Sequence, residues 1–406
     1  MIELKGKYNI AKVFTDNIED KAKKQIIDLL NQDFVKDGKV RIMSDCHAGA
    51  GCVIGFTADL GDKVIPNLVG VDIGCGMVLV KLGKIDMDLK KLDNIIHKYI
   101  PSGYNVHESR IVRFPKLQEL YCYRKLRDIK RIKRSIGTLG SGNHFVEINV
   151  NKNNDKYLVI HSGSRNLGHQ VATFYQNLAI DMCSGKEEYY IKRDEIIKTY
   201  KEQSKRKEIQ QALIDLKRKY EDLQPNYPKE LCYLTGEYRN RYLHDMKICQ
   251  EYAQLNRETI ANIILNKIFS KSLSDFQYFH TVHNYINFND NIIRKGAISA
   301  YEGELILIPI NMRDGSILAK GKGNPDWNYS APHGAGRIMS RGRAKKELNI
   351  NDFKKTMQGI YSTSVTENTI DEAPMAYKPI KEIISNIQDT IEIIDIIKPI
   401  YNFKAQ

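Results

Sequence analysis

An apolar run from Ile65 to Val71 and another from Met77 to Leu82 meet across Val69-Gly-Val-Asp-Ile-Gly-Cys-Gly76, and this junction constrains the fold more than any other segment. Gly70, Gly74 and Gly76 release the backbone into positive φ and close approach. Asp72 and Cys75, three residues apart, are then free to turn toward one bound cation. A thiolate beside a carboxylate suits a borderline transition metal such as Zn²⁺ or Mn²⁺ better than Mg²⁺ or Ca²⁺. The competing reading is a buried cysteine in a tight turn between strands, with Asp72 capping its own backbone. Taken alone, the stretch is explained more simply by the second reading.

The rest of the chain supplies the context. None of its apolar runs approaches the roughly 18 residues of a membrane span, and Met1 to Lys7 lacks an apolar signal core, so a cytoplasmic protein with no membrane partner is expected. Seven cysteines without a CxxC pair fit free thiols in a reducing compartment. The net charge of +13 is concentrated. From Arg110 to Arg134 ten Lys or Arg face Glu119 and Asp128, an excess of eight, with Tyr121 and Tyr123 interleaved. Arg337, Arg341, Arg343, Lys345 and Lys346 form a second cluster. Basic patches with aromatics suit a polyanion such as nucleic acid; a solvated basic surface explains charge alone equally well.

Periodicity predicts an α+β fold. Strands are expected at Tyr8 to Phe14, between Arg41 and Leu82, at Phe145 to Val150, Lys156 to Ile160, Phe279 to Phe288 and Ile292 to Ile310. Helices are expected at Ile18 to Leu30, Asp88 to Ile100, Leu167 to Met182 and Tyr238 to Phe269, and Ile380 to Ile400 reads as an isoleucine-rich amphipathic helix. Residues 186 to 225 are helical and charged, with Ile209, Leu213, Leu216, Tyr220 and Leu223 on a heptad seam. This arm, about 186 to 240, reads as an insertion into a single catalytic body.

Four histidines stand at strand ends or glycine turns: His144, His161, His283 and His333. Rigid scaffolds present reactive side chains at such places. Their wide spacing excludes a local zinc module; with Asp72 and Cys75 they can converge only through the whole fold. His161-Ser-Gly-Ser-Arg165 opens a helix and suits an anion. There is no GxxxxGK[ST] loop and no Lys-x-Asp-Gly ligase sequence, so a nucleotidyl transfer here needs another nucleophile, for which His333 is the natural candidate.

These segments, together with Gly137-Thr-Leu-Gly-Ser-Gly-Asn-His-Phe-Val-Glu147, His283-Asn-Tyr285, Arg294-Lys-Gly-Ala297, His333-Gly-Ala-Gly-Arg337, Met339-Ser-Arg341 and Glu372-Ala-Pro-Met-Ala-Tyr-Lys378, resemble the RtcB family of RNA-splicing ligases, in order from Asp45 to Lys378. The resemblance implies one catalytic body over 1–406, with mixed sheets and flanking helices around a metal and nucleotide cleft. It implies two Mn²⁺ ions held by Cys75, His144, His161 and His283, with Asp72 as a further ligand and Cys75 between the ions. It implies His333 as the residue that takes GMP from GTP, and a GTP pocket of Asn143, Glu147, Asn284, Gly334, Ala335, Gly336 and Lys378. Arg165 and Arg341 are implied as RNA phosphate contacts, and Asp45 and His47 as auxiliary residues. The sequence departs from the family's pattern at Cys46, Val282 and Pro309-Ile-Asn-Met312.

The implied activity is GTP- and Mn²⁺-dependent joining of RNA 3′-phosphate or 2′,3′-cyclic phosphate ends to 5′-hydroxyl ends, in tRNA splicing or RNA repair. An archease-like activator or a release-factor-like partner comes into view with it. The alternatives are a metal-dependent RNA end-processing phosphoesterase that does not ligate, and an RNA-binding protein with a structural metal.

Overall fold

A computed structural model describes residues 1–59 and 61–405. The architecture is α+β, as expected. A seven-stranded sheet carries, in order, Leu305–Asn311, Gly315–Gly321, Ile391–Lys404, Phe145–Val150, Lys156–Ser162, Gly76–Gly83 and Gln277–Val282. A six-stranded sheet carries Ile2–Lys5, Ile10–Val13, Arg41–His47, Ile54–Asp59, Ile292–Lys295 and Asn284–Ile286. A short ribbon pairs Ala297–Ser299 with Ser330–Pro332. The chain passes from the larger sheet to the smaller one at His283, between the strands Gln277–Val282 and Asn284–Ile286.

The period-two pattern of the central strands gives the larger sheet two apolar faces. Val78, Val80, Val146, Ile148, Leu158 and Ile160 pack with Ile260 and Ile264 of the long helix Gly236–Phe269. Met77, Leu79, Phe145 and Val159 face the other way and pack with Leu307 and Ile397. With both faces covered, the strand ends are fixed, and the candidate site lies at one of those ends.

One element differs from expectation. Ile380–Ile387 is helical, but Ile391–Lys404 is a 14-residue strand between Gly315–Gly321 and Phe145–Val150. Isoleucine-rich sequence satisfies both the helical and the alternating period, and β-branched side chains favour the strand once neighbours offer pairing. Pro399 sits where the register slips, the place a central strand tolerates proline. The charged segment forms two helices, Glu187–Glu202 and Ile209–Lys219, packed on each other. Leu223, the last seam residue, lies past the second helix and is exposed. No helix among the described residues is long and apolar enough to cross a membrane.

Candidate active site

Sheet register decides which residues meet. Gly76 pairs with Ser162 on one side and Val282 on the other, and Phe145 pairs with His161. Cys75, His283 and His144 stand one residue from these paired positions, so with His161 they emerge together at the same end of four adjacent strands. Asp72 joins them through a tight turn. The Cys75 N–H donates to the Asp72 carbonyl (3.1 Å), with Gly74 at φ +73°. The Asp72 carboxylate accepts from the Ser164 N–H at 3.1 Å, so the helix start at His161-Ser-Gly-Ser-Arg165 holds an anion that belongs to the chain itself. A Cβ on Gly163 would lie 2.2 Å from Asp72 Oδ1, which reserves that position for glycine.

The potential ligands form two overlapping sets, Cys75 with His161 and His283, and Asp72 with Cys75 and His144, and in each set the donor atoms lie within 4.8 Å of one another. Cys75 Sγ is 3.3 Å from His161 Nε2 and 3.4 Å from His144 Nε2. His161 Nε2 is 3.4 Å from His283 Nε2, and His144 Nε2 is 3.2 Å from Asp72 Oδ2. His161 Nδ1 faces the Asn143 carbonyl at 3.1 Å and must donate to it, which leaves the Nε2 lone pair pointing at the sulfur. Burial holds the His161 and His283 imidazoles well below their ordinary pKa, hence neutral. Burial and the Asp72 charge push the Cys75 thiol well above its usual value. Burial would also raise Asp72, but hydrogen bonds from His144 and Cys75 outweigh it and hold the carboxyl low. Neutral imidazole lone pairs, a thiol and a carboxylate converging on two points fit divalent transition metals. A cation there favours the thiolate and relieves the crowding of acceptors.

Beneath this cluster lies Arg257, which no sequence motif had singled out. It is 1% exposed, and Nη1 donates to the carbonyls of Gly74 (2.8 Å) and Ser162 (3.0 Å), the neighbours of Cys75 and His161. Burial lowers its pKa to about 10. It sits on the long helix Gly236–Phe269, where a lone arginine among charged neighbours gives no local signal.

His333 follows the strand Ser330–Pro332, and its ring centroid is 4.8 Å from that of His283. Its Nδ1 donates to Asp45 Oδ2 at 2.6 Å, and the same oxygen accepts the backbone N–H groups of His333 and Gly334, each at 3.1 Å. Asp45 is fully buried on the strand Arg41–His47. The His333 Nε2 lone pair is therefore left free beside the metal-ligand cluster.

An open cleft lies in front of His333. Its walls include Asn143, Glu147, Gly334, Ala335, Gly336 and Arg341. Two residues expected there lie elsewhere. Lys378 points away and donates to the carbonyls of Asn17 (2.9 Å) and Ser44 (3.1 Å). Asn284 braces the metal loop, donating to the Asp72 carbonyl (3.2 Å) and accepting from the Gly296 N–H (2.9 Å). The lysine in the cleft is Lys404, whose Nζ is 2.5 Å from Glu372 Oε2 and 3.4 Å from the Asn143 carbonyl. Strand pairing of Lys404 with Phe145 and of Asn402 with Glu147 puts it there. Reading the C-terminus as a helix hid it; polar residues alternating at Asn402 and Lys404 were the available signal. Burial raises the Glu147 carboxyl to about 7, although Asn149 (3.1 Å) and Asn402 (2.5 Å) donate to it.

A second cavity lies across the metal-ligand cluster, and Asn143 borders both. It is lined by Asp72, His144, Arg165, Arg131 and Tyr104. Arg131 brings the basic stretch of 110–134 to this side. Arg341 stands at the first cleft and is ion-paired with Asp371 (2.6 Å) and Glu372 (2.5 Å). The Lys320-Gly-Lys-Gly-Asn324 turn is at neither cavity; Lys322 donates to the Gln388 carbonyl at 2.5 Å.

A family model described as "tRNA-splicing ligase RtcB" matches residues 25–125 and 122–405. The chain is 28% identical over 415 residues to the RNA-splicing ligase RtcB of Escherichia coli strain K12, covering 93% of this chain and 92% of that protein. It is 26% identical over 439 residues to the tRNA-splicing ligase RtcB of Methanococcus maripaludis, covering 86% and 84%. To the tRNA-splicing ligase RtcB of Aeropyrum pernix it is 26% identical over 434 residues, covering 84% and 82%.

Proposed function

The chain belongs to the RtcB family of RNA-splicing ligases, and we propose that it joins RNA 3′-phosphate or 2′,3′-cyclic phosphate ends to 5′-hydroxyl ends, using GTP and two Mn²⁺ ions. The observation that carries this reading is the pair of ligand sets sharing Cys75 beside a histidine whose Nδ1 is held by Asp45. In this reading Cys75, His161 and His283 hold one ion, and Asp72, Cys75 and His144 the other. Bound there, the cations supply Lewis-acid stabilisation of charge that develops on phosphoryl oxygens.

The residues of the chain do the rest. His333 Nε2 attacks the α-phosphorus of GTP; an N–P bond forms and the bond to pyrophosphate breaks. Asp45 keeps the Nδ1 proton in place and stabilises the cationic ring that results. An oxygen of the RNA 3′-phosphate then takes GMP from His333, giving an RNA(3′)pp(5′)G end. The 5′-hydroxyl of the second RNA attacks the RNA phosphorus, and GMP leaves. A 2′,3′-cyclic end is first opened by water. In this reading Glu147 accepts from the guanine N–H edge, and Lys404, which lines the cleft, donates to its O6 in place of Lys378. Arg165 and Arg131 on the far side, and Arg341 on the near side, contact RNA phosphates. Residues 1–406 form one ligase body, with the charged helices near 186–240 as an insertion.

Incubation with Mn²⁺ and GTP labelled at the α-phosphate should give an acid-labile, base-stable GMP adduct that His333→Ala abolishes. An adduct that persists in that variant rejects His333 as the nucleophile. End-processing of RNA that proceeds at full rate without GTP favours the phosphoesterase.

A further inference from the structure

The two ligand sets open onto different cavities. His161 and His283 line the cleft that holds His333 and Lys404, whereas Asp72 and His144 line the second cavity. On the ligase reading above, the 5′-hydroxyl oxygen bonds to the RNA phosphorus as GMP leaves. Attacking and leaving oxygens stand in line, on opposite sides of that phosphorus. GMP departs on the His333 side, so the strand with the 5′-hydroxyl enters through the second cavity.

That cavity carries a side chain that packing does not explain. Tyr104 lines it and is 87% exposed, more than any other large hydrophobic side chain among the described residues. Its backbone, by contrast, is held from several sides. Gly103 stands at φ +63°, and the Asn105 N–H closes the turn on the Ser102 carbonyl at 3.1 Å. The Gly103 N–H donates to the Gly140 carbonyl (2.6 Å), and the Leu139 N–H donates to the Pro101 carbonyl (2.9 Å). The turn is thus tied to the segment that runs on to Asn143 and His144. Arg165 Nη2 donates to the Gly103 carbonyl at 3.0 Å, and Arg131 Nη2 donates to the Tyr104 carbonyl.

A lone exposed tyrosine is ordinary on a protein surface. This one stands on a fixed turn at a cavity that Arg131 and Arg165 also line, and whose only carboxylate among the described residues is Asp72. Nucleobases released from a helix stack on aromatic rings, while arginines take the adjoining phosphates. A ring already held in place loses little freedom on contact. We propose that Tyr104 is a stacking platform for a nucleobase at the 5′-hydroxyl end of the incoming RNA strand. The ring shares its cavity with Asp72 and His144, which keeps the stacked base close to the reacting end.

The first test measures binding without ligation. A 5′-hydroxyl RNA that lacks a 3′-phosphate carries 2-aminopurine at one of its first three positions, and is titrated with the full chain and Mn²⁺ in the absence of GTP. Wild type and Tyr104→Phe should quench the fluorescence at one of these positions, and Tyr104→Ala should not. The second test measures joining, with GMP adduct formation, which uses no RNA, read on every variant so that rates are compared at equal active protein. Tyr104→Ala should raise the KM for the 5′-hydroxyl strand about tenfold or more, and leave the KM for the 3′-phosphate strand unchanged. An abasic nucleotide at the quenched position should weaken the wild type to the same extent and add nothing to Tyr104→Ala.

Wild-type KM values for both strands in Tyr104→Ala overturn the platform while the ligase reading stands. A KM rise confined to the 3′-phosphate strand overturns it too, as does a Tyr104→Phe variant as weak as Tyr104→Ala, since the hydroxyl and not the ring would then matter. Quenching that depends on Tyr104 in a chain that joins no RNA supports the platform and rejects the ligase reading instead.

Discussion

Asp45 Oδ2 lies 2.6 Å from His333 Nδ1 and also accepts two backbone N–H groups, so one buried carboxylate oxygen sets both the ring and the loop that carries it. An acceptor at Nδ1 dictates the tautomer with a free Nε2. Asp45→Asn keeps the size but can present its amide N–H₂ to Nδ1, which turns the ring's proton to Nε2 and blocks attack. Formation of the GMP adduct should slow by on the order of 10²- to 10⁴-fold, with bound metal unchanged. Single-turnover labelling with GTP, alongside metal analysis of the same samples, separates this from a general loss of structure.

Cys75 belongs to both ligand sets, so Cys75→Ala should cost both ions rather than one. Loss of a shared ligand should weaken binding by more than about 100-fold, and adduct formation and ligation should both disappear. Cys249 is an equally buried thiol on the helix packed against the Gly74 turn, and Cys249→Ala is the control that keeps its metal. Metal content after gel filtration, with circular dichroism to confirm folding, decides it. A Cys75→Ala protein that retains one ion shows that the two sets are independent.

The candidate ligand positions stood out in the sequence because each sits at a strand end or in a glycine-marked turn, places that local chemistry announces. Their convergence depends on register: that Gly76 opposes both Ser162 and Val282 is a property of the assembled sheet. Lys378 was misplaced for the same reason that Lys404 was missed. A lysine's usefulness depends on where its Nζ ends, and Lys378 spends its donors on the carbonyls of Asn17 and Ser44. Helix or strand could not be separated for Ile380 to Ile400 by periodicity, since strand partners distant in the sequence, Gly315–Gly321 and Phe145–Val150, settle it.

The two lysines should therefore behave differently. Lys404→Met removes the cation from the cleft and should raise the KM for GTP about tenfold or more, a loss of about 1.4 kcal/mol of binding. It should also narrow the preference for GTP over ATP. Lys378→Met leaves the buried Ser44 carbonyl and the partly buried Asn17 carbonyl without this donor and should cost about 1–2 kcal/mol of stability, with KM unchanged. Nucleotide titration of adduct formation, paired with urea denaturation, reads both effects. A KM effect at Lys378 alone would return the guanine contact to that residue.

Glu147 makes stability and nucleotide binding pull in opposite directions with pH. Burial raises its carboxyl from 4.5 to about 7. Between those values the folded chain holds a proton that the unfolded chain has released. Its contribution to stability is therefore present below pH 4.5, falls as pH rises to about 7, and is gone above it. The span corresponds to about 3 kcal/mol. If Glu147 reads guanine as proposed, it does so as the ionised acceptor, and GTP affinity should rise over the same approach to pH 7. Glu147→Gln should flatten both profiles, giving a protein more stable at pH 8 and weaker toward GTP at every pH. The neighbouring Asn149 and Asn402 carbonyl oxygens lack partners among the described residues, so an amide has acceptors to meet. Urea midpoints and GTP titrations from pH 5.5 to pH 8.5 test the pair of trends.

Arg257 gives the last prediction, because it links the two strands that carry Cys75 and His161 without reaching either ligand's donor atom. Its Nη1 donates to the carbonyls of Gly74 and Ser162. Arg257→Met fills the space but strands both carbonyls, a cost on the order of 3 kcal/mol. The loss should persist in apo protein prepared with a chelator, because the carbonyls are orphaned with or without metal. Metal affinity should fall as well, since the Gly74 turn and the Ser162 strand end are then free to drift apart. Arg257→Lys should recover part of the stability, as an ammonium reaches one carbonyl more readily than both. Should Arg257→Met match the wild-type apo protein in denaturation yet bind metal poorly, the residue acts through its charge on the thiolate and carboxylate instead of through the two hydrogen bonds.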